Sequence, residues 1–495
     1  MYIKTPYQIY GELFEALHKS GNWKDGKLIS DAIPKSSPEF ILSKYRQEKV
    51  NGDFDLRTFF ESHFVLPTKA SSDFESDSER TAEAHIYALW DVLTRAADKV
   101  EDGASLIGLP HDYVVPGGRF NEIYYWDSYF TIIGLGIHGK VELVESMIDN
   151  FAWLIDALGF IPNGNRSYFT GRSQPPFFAQ MVEHLASITG LNTLLKYKAA
   201  LVNEHSFWMD DKVDNVRRCI QLEDGCLNRY HDLFPRPREE MYMDDLDLLA
   251  ESGRDSKELF ADVRAACESG WDFSSRWFSD FKSLSTIRCA DVIPVDLNCL
   301  LYSHETLLVK IAAMSDDKEE LKKYTELAEA RRLLIQKYFW NESLGFFSDY
   351  DFKNDSQINH YHLGGIFPLY FQLATKVQAA SVAEIIEQKF LKAGGVLTTT
   401  IYSGHQWDAP NGWAPLQWMT VMGLDNYGFD ELAKTIASRW VAMNDRVYKS
   451  TGKFVEKYNV ENMNLEAGGG EYPVQDGFGW SNGVYLAMKN YLENK

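Results

Sequence analysis

The 495-residue chain carries 50 Lys and Arg against 71 Asp and Glu, a formal net charge of −21. Its basic residues never gather into a run of five or six, so a nucleic-acid backbone would meet repulsion and find no landing strip. Hydrophobic residues make up 45% of the chain, yet no window approaches the ~18 consecutive apolar residues that a membrane span needs, so a soluble globular protein with no nucleic-acid or membrane partner is expected.

The first twenty residues, MYIKTPYQIYGELFEALHKS, set apolar positions at helical spacing. They lack a basic n-region, an unbroken apolar core and a small-residue cleavage site, which predicts a cytoplasmic location. The polar tract KASSDFESDSER, 69–80, reads as a linker or as the capped entrance of a helix predicted over 82–97. Over 140–158 the apolar residues Val144, Met147, Ile148, Phe151, Leu154, Ile155 and Leu158 repeat at i, i+3, i+4, i+7, and Gly159 stands where a C-terminal cap belongs. Similar patterns predict helices over 175–189, 191–203, 297–314, 318–339, 363–374, 379–391 and 425–443. Alternation of period two is confined to short pieces, 396–402 and 453–458, too few for a central sheet. The fold class is therefore all-α. Helical hairpins of roughly fifty residues suit either a solenoid or a closed toroid of helix pairs, and no domain boundary stands out. Cys219, Cys226, Cys267, Cys289 and Cys299 form no C-x-x-C pair, have no histidines at zinc spacing, and read as free buried thiols.

The pattern Glu-Ser-Gly-x-Asp occurs twice, as ESGRD at 251–255 and ESGWD at 268–272. Asp255 is followed by Glu258 and then by Leu259, Val263, Ala266 and Cys267 at helical spacing as far as Gly270, which predicts a capping box, a helix and a terminal glycine. Asp255 thus has a structural job. Asp272 lies beyond that helix between Trp271 and Phe273, where the negative helix pole and apolar neighbours both disfavour ionisation, as suits a general acid.

Four loop stretches mix aromatic faces with fixed hydrogen-bonding groups: PGGRFNEIYYWDSYF from Pro116, IPNGNRSYFTGRSQPPFF from Ile161, QWDAPNGWAPLQW from Gln406 and GGGEYPVQDGFGWSNG from Gly468. A sugar needs that combination, because its C–H faces stack on rings while its hydroxyls need carboxylate, amide and guanidinium partners.

The first and third of these stretches resemble the two signature segments of the trehalases, glycoside hydrolases that cleave α,α-trehalose to glucose. The resemblance continues through NGNRSYFTGRSQPP, ESGWDFSSRW, FVEKYNV and GGGEYPVQDGFGW, from about Phe54 to the end. It implies an (α/α)6 toroid of six helical hairpins and an inverting hydrolysis of α,α-trehalose, without metal or cofactor, that releases one glucose as the β anomer. The expected organisation is one catalytic domain over 1–495, with 1–80 as an N-terminal extension packed on the toroid. A monomer whose partner is a small disaccharide is expected.

Carried over by motif, the substrate contacts are Arg119, Trp126 and Asp127 in the first signature, then Asn163, Arg172, Ser173 and Gln174, with Gly270 beside the acid. Phe120 and Trp407 line the walls. In LFPRPREEMY the family's arginine and glutamate align with Arg238 and Glu240, the doubled Arg and Glu leaving the register open by a residue or two. The resemblance assigns Asp272 as general acid, Glu456 as general base and Glu471 as a further contact. Read locally, Glu456 and Lys457 belong to a short alternating segment after Ser450-Thr451-Gly452, which is usually a solvated edge. Glu471 follows three glycines, where backbone can approach a ligand or hinge, although 464–467 departs from the family's glycine-rich pattern. Two other readings stand beside hydrolysis: a disaccharide phosphorylase on a similar toroid, in which phosphate replaces activated water, and a sugar-binding sensor that has lost turnover.

Overall fold

Burial separates the helices into two kinds, those with one apolar stripe and those enclosed on nearly every side. The computed structural model describes residues 3–67, 80–97, 100–209, 218–464, 474–475 and 477–495. Five helices come first: α1 (Pro6–Tyr10), α2 (Glu12–Lys19), α3 (Gly26–Ser30), α4 (Pro38–Glu48) and α5 (Leu56–His63). There follow α6 (Ala82–Leu93), α7 (Tyr125–Ile137), α8 (Val141–Leu158), α9 (Phe178–Thr189), α10 (Asn192–Lys196), α11 (Lys198–Met209), α12 (Tyr242–Ser252) and α13 (Ser256–Glu268). The last are α14 (Val295–Met314), α15 (Lys318–Phe339), α16 (Phe367–Tyr370), α17 (Lys376–Ile385), α18 (Ala414–Asp425), α19 (Asp430–Thr451) and α20 (Gly479–Asn494).

Six of these close into an inner ring: α7 packs on α9, α9 on α14, α14 on α16, α16 on α18, α18 on α20, and α20 returns to α7. The helices α6, α8, α11, α15, α17 and α19 form the outer layer, giving an (α/α)6 toroid. Sequence explains the sorting. Helix α8 buries Val144, Met147, Ile148, Phe151, Leu154 and Ile155 along one stripe, and Gly159 at φ 88° closes it in the left-handed region. In α7, by contrast, every residue from Tyr125 to Leu135 is buried.

At the closure the two helix backbones touch. A methyl on Gly134 would lie 2.5 Å from Gly483 Cα, and one on Gly483 would collide with the Phe130 carbonyl oxygen. Strands are two to four residues long and form small two- and three-stranded sheets in the connections, among them Asn411–Trp413 against Lys457–Asn459.

Several predicted boundaries shift for local reasons. The helix predicted over 82–97 starts under a Thr81 cap but stops at Leu93, because Thr94–Arg95 pairs with Tyr113–Val114. The 191–203 pattern breaks at Tyr197 into α10 and α11. Pro368 and the 3-10 turn Leu363–Ile366 reduce 363–374 to a single helical turn. The last outer helix begins at Asp430, past Gly428 at φ 79°, and runs to Thr451 rather than ending at 443. Asp255 caps α13 as expected, accepting from Lys257 N–H (2.9 Å) and Glu258 N–H (3.2 Å), without a reciprocal Glu258 bond among the described residues. Most of the 69–80 tract lies outside the described residues.

The N-terminal helices have their own apolar cluster, built on Leu13, Phe14, Leu17, Ile29, Ile41, Phe59 and Phe60, into which Tyr242 of α12 inserts. Tyr7 N–H donates to Glu239 Oε2 (2.9 Å) and Ser30 Oγ to the Glu239 carbonyl (2.8 Å). The expectation of five free thiols is corrected: Cys219 and Cys226 are joined by a disulfide across the hairpin Cys219–Leu222/Gly225–Asn228, and Cys267, Cys289 and Cys299 are free and buried. Period-two pairing brings the two sulfurs together, a proximity that seven residues of spacing did not disclose.

Gly483→Ala should separate α7 from α20 and cost about 1–3 kcal/mol, as overpacking does. The check is the urea midpoint, which should fall; an unchanged midpoint would mean that the ring is not closed by this contact.

Candidate active site

The inner helices present their N-terminal turns to one cavity. Trp126 and Asp127 come from the first turn of α7, Trp413 precedes α18, and Phe478 and Trp480 flank the start of α20. The cavity encloses about 740 Å³ of empty space including its open mouth, a size suited to a small ligand.

Aromatic rings make one wall. Trp407 stacks on Trp413 with centroids 3.8 Å apart and planes 1° from parallel, and its centroid lies 5.5 Å from that of Trp271. Trp126 tilts against Trp407 at 5.7 Å and stands edge-on to Trp480 at 5.7 Å. Gly270, at φ 75°, passes close under Trp126: a methyl there would come 2.9 Å from the indole. These interlocked rings offer a rigid face on which a pyranose can stack.

Charged groups make the rest. Arg172 donates to Glu240 Oε1 (2.7 Å), Asn163 Oδ1 (3.1 Å) and Asp232 Oδ2 (3.4 Å). Burial alone would raise the Glu240 pKa, but Arg172, Arg238 and Arg264 hold it below its usual value, so Glu240 stays an anionic acceptor. Arg238 is anchored through Asp245, with Nη2 to Oδ1 at 2.6 Å. Gln174 Oε1 accepts from Trp126 N–H (3.1 Å). Arg119 bonds Asp25 Oδ1 from the N-terminal segment (2.7 Å), and its own N–H donates to Gln475 Oε1 (2.8 Å). Asp127 is buried; that burial, together with Glu456 and Asp272, pushes its carboxyl well above the usual range and favours an O–H donor over a charge.

Asp272 and Glu456 both reach this cavity from separate loops. Asp272 follows α13 directly, and its half-buried position is fixed by neighbours that are themselves locked. Gln406 donates to the Asp272 carbonyl, while Asp408 accepts from Ser274 Oγ (2.9 Å), Ser275 Oγ (2.7 Å) and Ser275 N–H (2.7 Å). Under Trp271, Arg276 forks onto Asp296 and Asp349. Glu456 sits just before the strand Lys457–Asn459 and is only 2% exposed; its carbonyl accepts from Trp480 Nε1 (3.0 Å).

Eleven of the residues carried over by motif line the cavity with Asp272 and Glu456 among the walls just described: Arg119, Phe120, Trp126, Asp127, Asn163, Arg172, Gln174, Arg238, Glu240, Gly270 and Trp407. Of the doubled pair, Arg238 and Glu240 line the cavity, whereas Arg236 and Glu239 pair with each other (3.2 Å) and are not among its lining residues. Ser173 is not on the wall. Its hydroxyl donates to the Ile161 carbonyl (2.7 Å) and its N–H to Glu268 Oε1 (2.7 Å), so it shapes the loop that carries Arg172. Glu471 lies outside the described residues. The structure adds Lys27, Tyr124, Phe169, Met241, Cys267, Trp413, Phe478 and Trp480. Trp413 and Trp480 stood inside the quoted motifs; nothing in the sequence around Lys27 marked it.

A family profile for trehalase matches residues 21–493. The chain belongs to the trehalase family. It is a glycoside hydrolase by that membership. A periplasmic trehalase of Salmonella agona is 44% identical over 99% of this chain and 87% of its own length, and a putative periplasmic trehalase of Salmonella typhi matches to the same extent. Among solved structures, neutral trehalase Nth1 from Saccharomyces cerevisiae superposes with a TM-score of 0.65 at 27% identity, over 85% of this chain and 81% of that one. A GH63 mannosylglycerate hydrolase from Thermus thermophilus, solved with glucose, shares the fold with a TM-score of 0.56 at 16% identity, covering 82% of this chain and 99% of that one. The names of the Salmonella trehalases overturn the expected cytoplasmic location. Within the first twenty residues, Leu13, Phe14 and Leu17 are core of the folded protein.

In this trehalase-family site Arg172→Lys keeps the charge but loses the fork that spans Glu240 and Asn163. Charge-assisted hydrogen bonds contribute about 1.5–3 kcal/mol each, so the melting temperature should fall and, measured well below it, kcat/KM on trehalose should fall at least about tenfold; wild-type kcat/KM would remove Arg172 from the site.

Proposed function

We propose that this chain hydrolyses α,α-trehalose with inversion, Asp272 acting as general acid and Glu456 as general base. The observation that carries the reading is the delivery of these two carboxyl groups, from loops 184 positions apart by their numbering, to one aromatic-walled cavity in a trehalase-family chain. One glucosyl unit stacks on the Trp126 and Trp407 faces, with Arg172, Arg238, Glu240, Asn163 and Gln174 taking its hydroxyls. Water attacks the anomeric carbon from the face opposite the leaving oxygen and gives a proton to Glu456. As the carbon–oxygen bond breaks, Asp272 gives its proton to that oxygen. One glucose leaves with inverted, β configuration, and the other keeps its α configuration. The N-terminal segment works as part of the same unit, because Lys27 lines the cavity and Asp25 accepts from Arg119 on its wall.

The enzyme works in the periplasm. That location is supported by the names of the relatives and by the Cys219–Cys226 disulfide, a bond that persists where thiols are not kept reduced. Protein isolated from the periplasm and denatured without reductant should take up three alkyl groups, one for each free cysteine, and five after reduction. Five without reduction would remove the disulfide from the argument.

Trehalose in phosphate-free buffer should yield equal early amounts of α- and β-glucose by proton NMR. Glucose phosphate formed only when phosphate is added would mean a phosphorylase, and binding without product would mean a sensor. The two Glu-Ser-Gly-x-Asp aspartates should separate cleanly. Asp272→Asn and Glu456→Gln should each lose about 10²–10⁴-fold in turnover with the fold intact, whereas Asp255→Ala should cost about 1 kcal/mol of stability and little activity.

A further inference from the structure

Next to Glu456 the chain buries a second ionisable group that hydrolysis as described does not use. Lys457 has no exposed side-chain surface, and its Nζ lies 3.7 Å from Glu456 Oε2. The antiparallel pairing sets Lys457 directly opposite Trp413, and Nζ sits 5.3 Å over that indole. The ammonium also donates to Gln406 Oε1 (2.6 Å), while the same amide's Nε2 donates to the carbonyl of Asp272. Gln406 is itself buried, and its backbone carbonyl accepts from Trp413 Nε1 (3.0 Å) and Asn411 Nδ2 (3.1 Å).

We infer that Lys457 is a positioning residue for hydrolysis: through Gln406 its ammonium ties the Glu456 carboxylate to the backbone that carries Asp272. The inference rests on the proposed role of Glu456 as base. A base must hold a negative charge, and Glu456 is nearly free of solvent. The other carboxyl groups that face it electrostatically, Asp127 and Asp272, oppose that charge if ionised. The other cations on the cavity wall have carboxylates of their own: Arg172 bonds Glu240, Arg238 bonds Asp245, Arg119 bonds Asp25, and Lys27 pairs with Asp31 and Glu122. Lys457 supplies a positive charge 3.7 Å from Glu456 Oε2. Burial is the larger effect and holds the Lys457 pKa below its usual value, although Glu456 and Asp272 pull the other way. An opposite charge at this distance lowers a carboxyl pKa, so removing the ammonium raises the pKa of Glu456 and moves its loss of ionisation to higher pH.

The test is kcat/KM on trehalose against pH for the wild type, Lys457→Met, Lys457→Arg and Glu456→Gln. The acidic limb should move up by about one pH unit or more in Lys457→Met, with kcat at pH 6 down at least about tenfold and KM within about threefold of wild type. Lys457→Arg, which retains the charge, should bring the limb back toward its original position. Should the methionine variant fail to fold by circular dichroism, Lys457→Gln carries the same expectation. A superimposable profile in the neutral variants, or equal losses in Met and Arg variants at every pH, overturns the inference while leaving Glu456 as base if Glu456→Gln is inactive. An active Glu456→Gln would instead overturn the mechanism on which the inference stands.

Discussion

The ring closes where Gly134 of α7 meets Gly483 of α20, and no side chain larger than hydrogen fits between the two backbones. Closure determines more than packing. Because α7 and α20 lie in contact, Trp126 and Asp127 at the start of one helix face Phe478 and Trp480 at the start of the other, and the cavity is the space between those turns. Helix N-termini carry unpaired N–H groups and partial positive charge, which suits a site dense in carboxylates and sugar hydroxyls. An open solenoid of the same hairpins would leave those ends along an edge and could not surround a sugar.

Position in the ring also decides what the sequence discloses. Outer helices meet solvent on one side, so α8 and α15 announce themselves by period and begin or end within a residue of the spacing. Inner helices are buried more completely; α9 and α14 still show apolar spacing, but α7, buried at every position from Tyr125 to Leu135, has no period to read. Thus α7 and α18 were visible only as motif-bearing loops, and α16 was overextended because Pro368 and the preceding 3-10 turn were outweighed by apolar spacing. The two Glu-Ser-Gly-x-Asp copies show the opposite case. Asp255 was readable because capping is local, and the bonds to Lys257 and Glu258 are made within three residues.

Sites are less local. Trp126, Asp127, Arg172 and Trp407 were legible through long motifs, but the same motifs carried Ser173, whose bonds run into its own loop. Lys27 approaches the cavity only because α3 packs on the turn Glu239–Met241, a contact between segments more than two hundred residues apart that no window of sequence contains. Glu456 and Lys457 were misread by local pattern. Alternating charge after a turn usually lies on an edge, but the strand Lys457–Asn459 pairs with Asn411–Trp413 beneath the aromatic wall, and both charges are buried as a consequence.

That burial bears on how one cavity would keep the proposed acid and the proposed base, both carboxyl groups, apart. Trehalose is neutral, so the chain's net charge of −21 neither attracts nor repels it, and selectivity must come from the immediate surroundings of each group. Asp272 stands past the C-terminus of α13, between Trp271 and Phe273, and its carbonyl is the group that Gln406 holds. The Lys457 ammonium lies beside the other carboxyl, 3.7 Å from Glu456 Oε2. An apolar setting behind a helix end favours the protonated form, and a buried cation favours the ionised one. On the proposed mechanism the two carboxyl groups would divide the work through the elements that deliver them: the loop that follows α13 for Asp272, and a strand that begins just after Glu456.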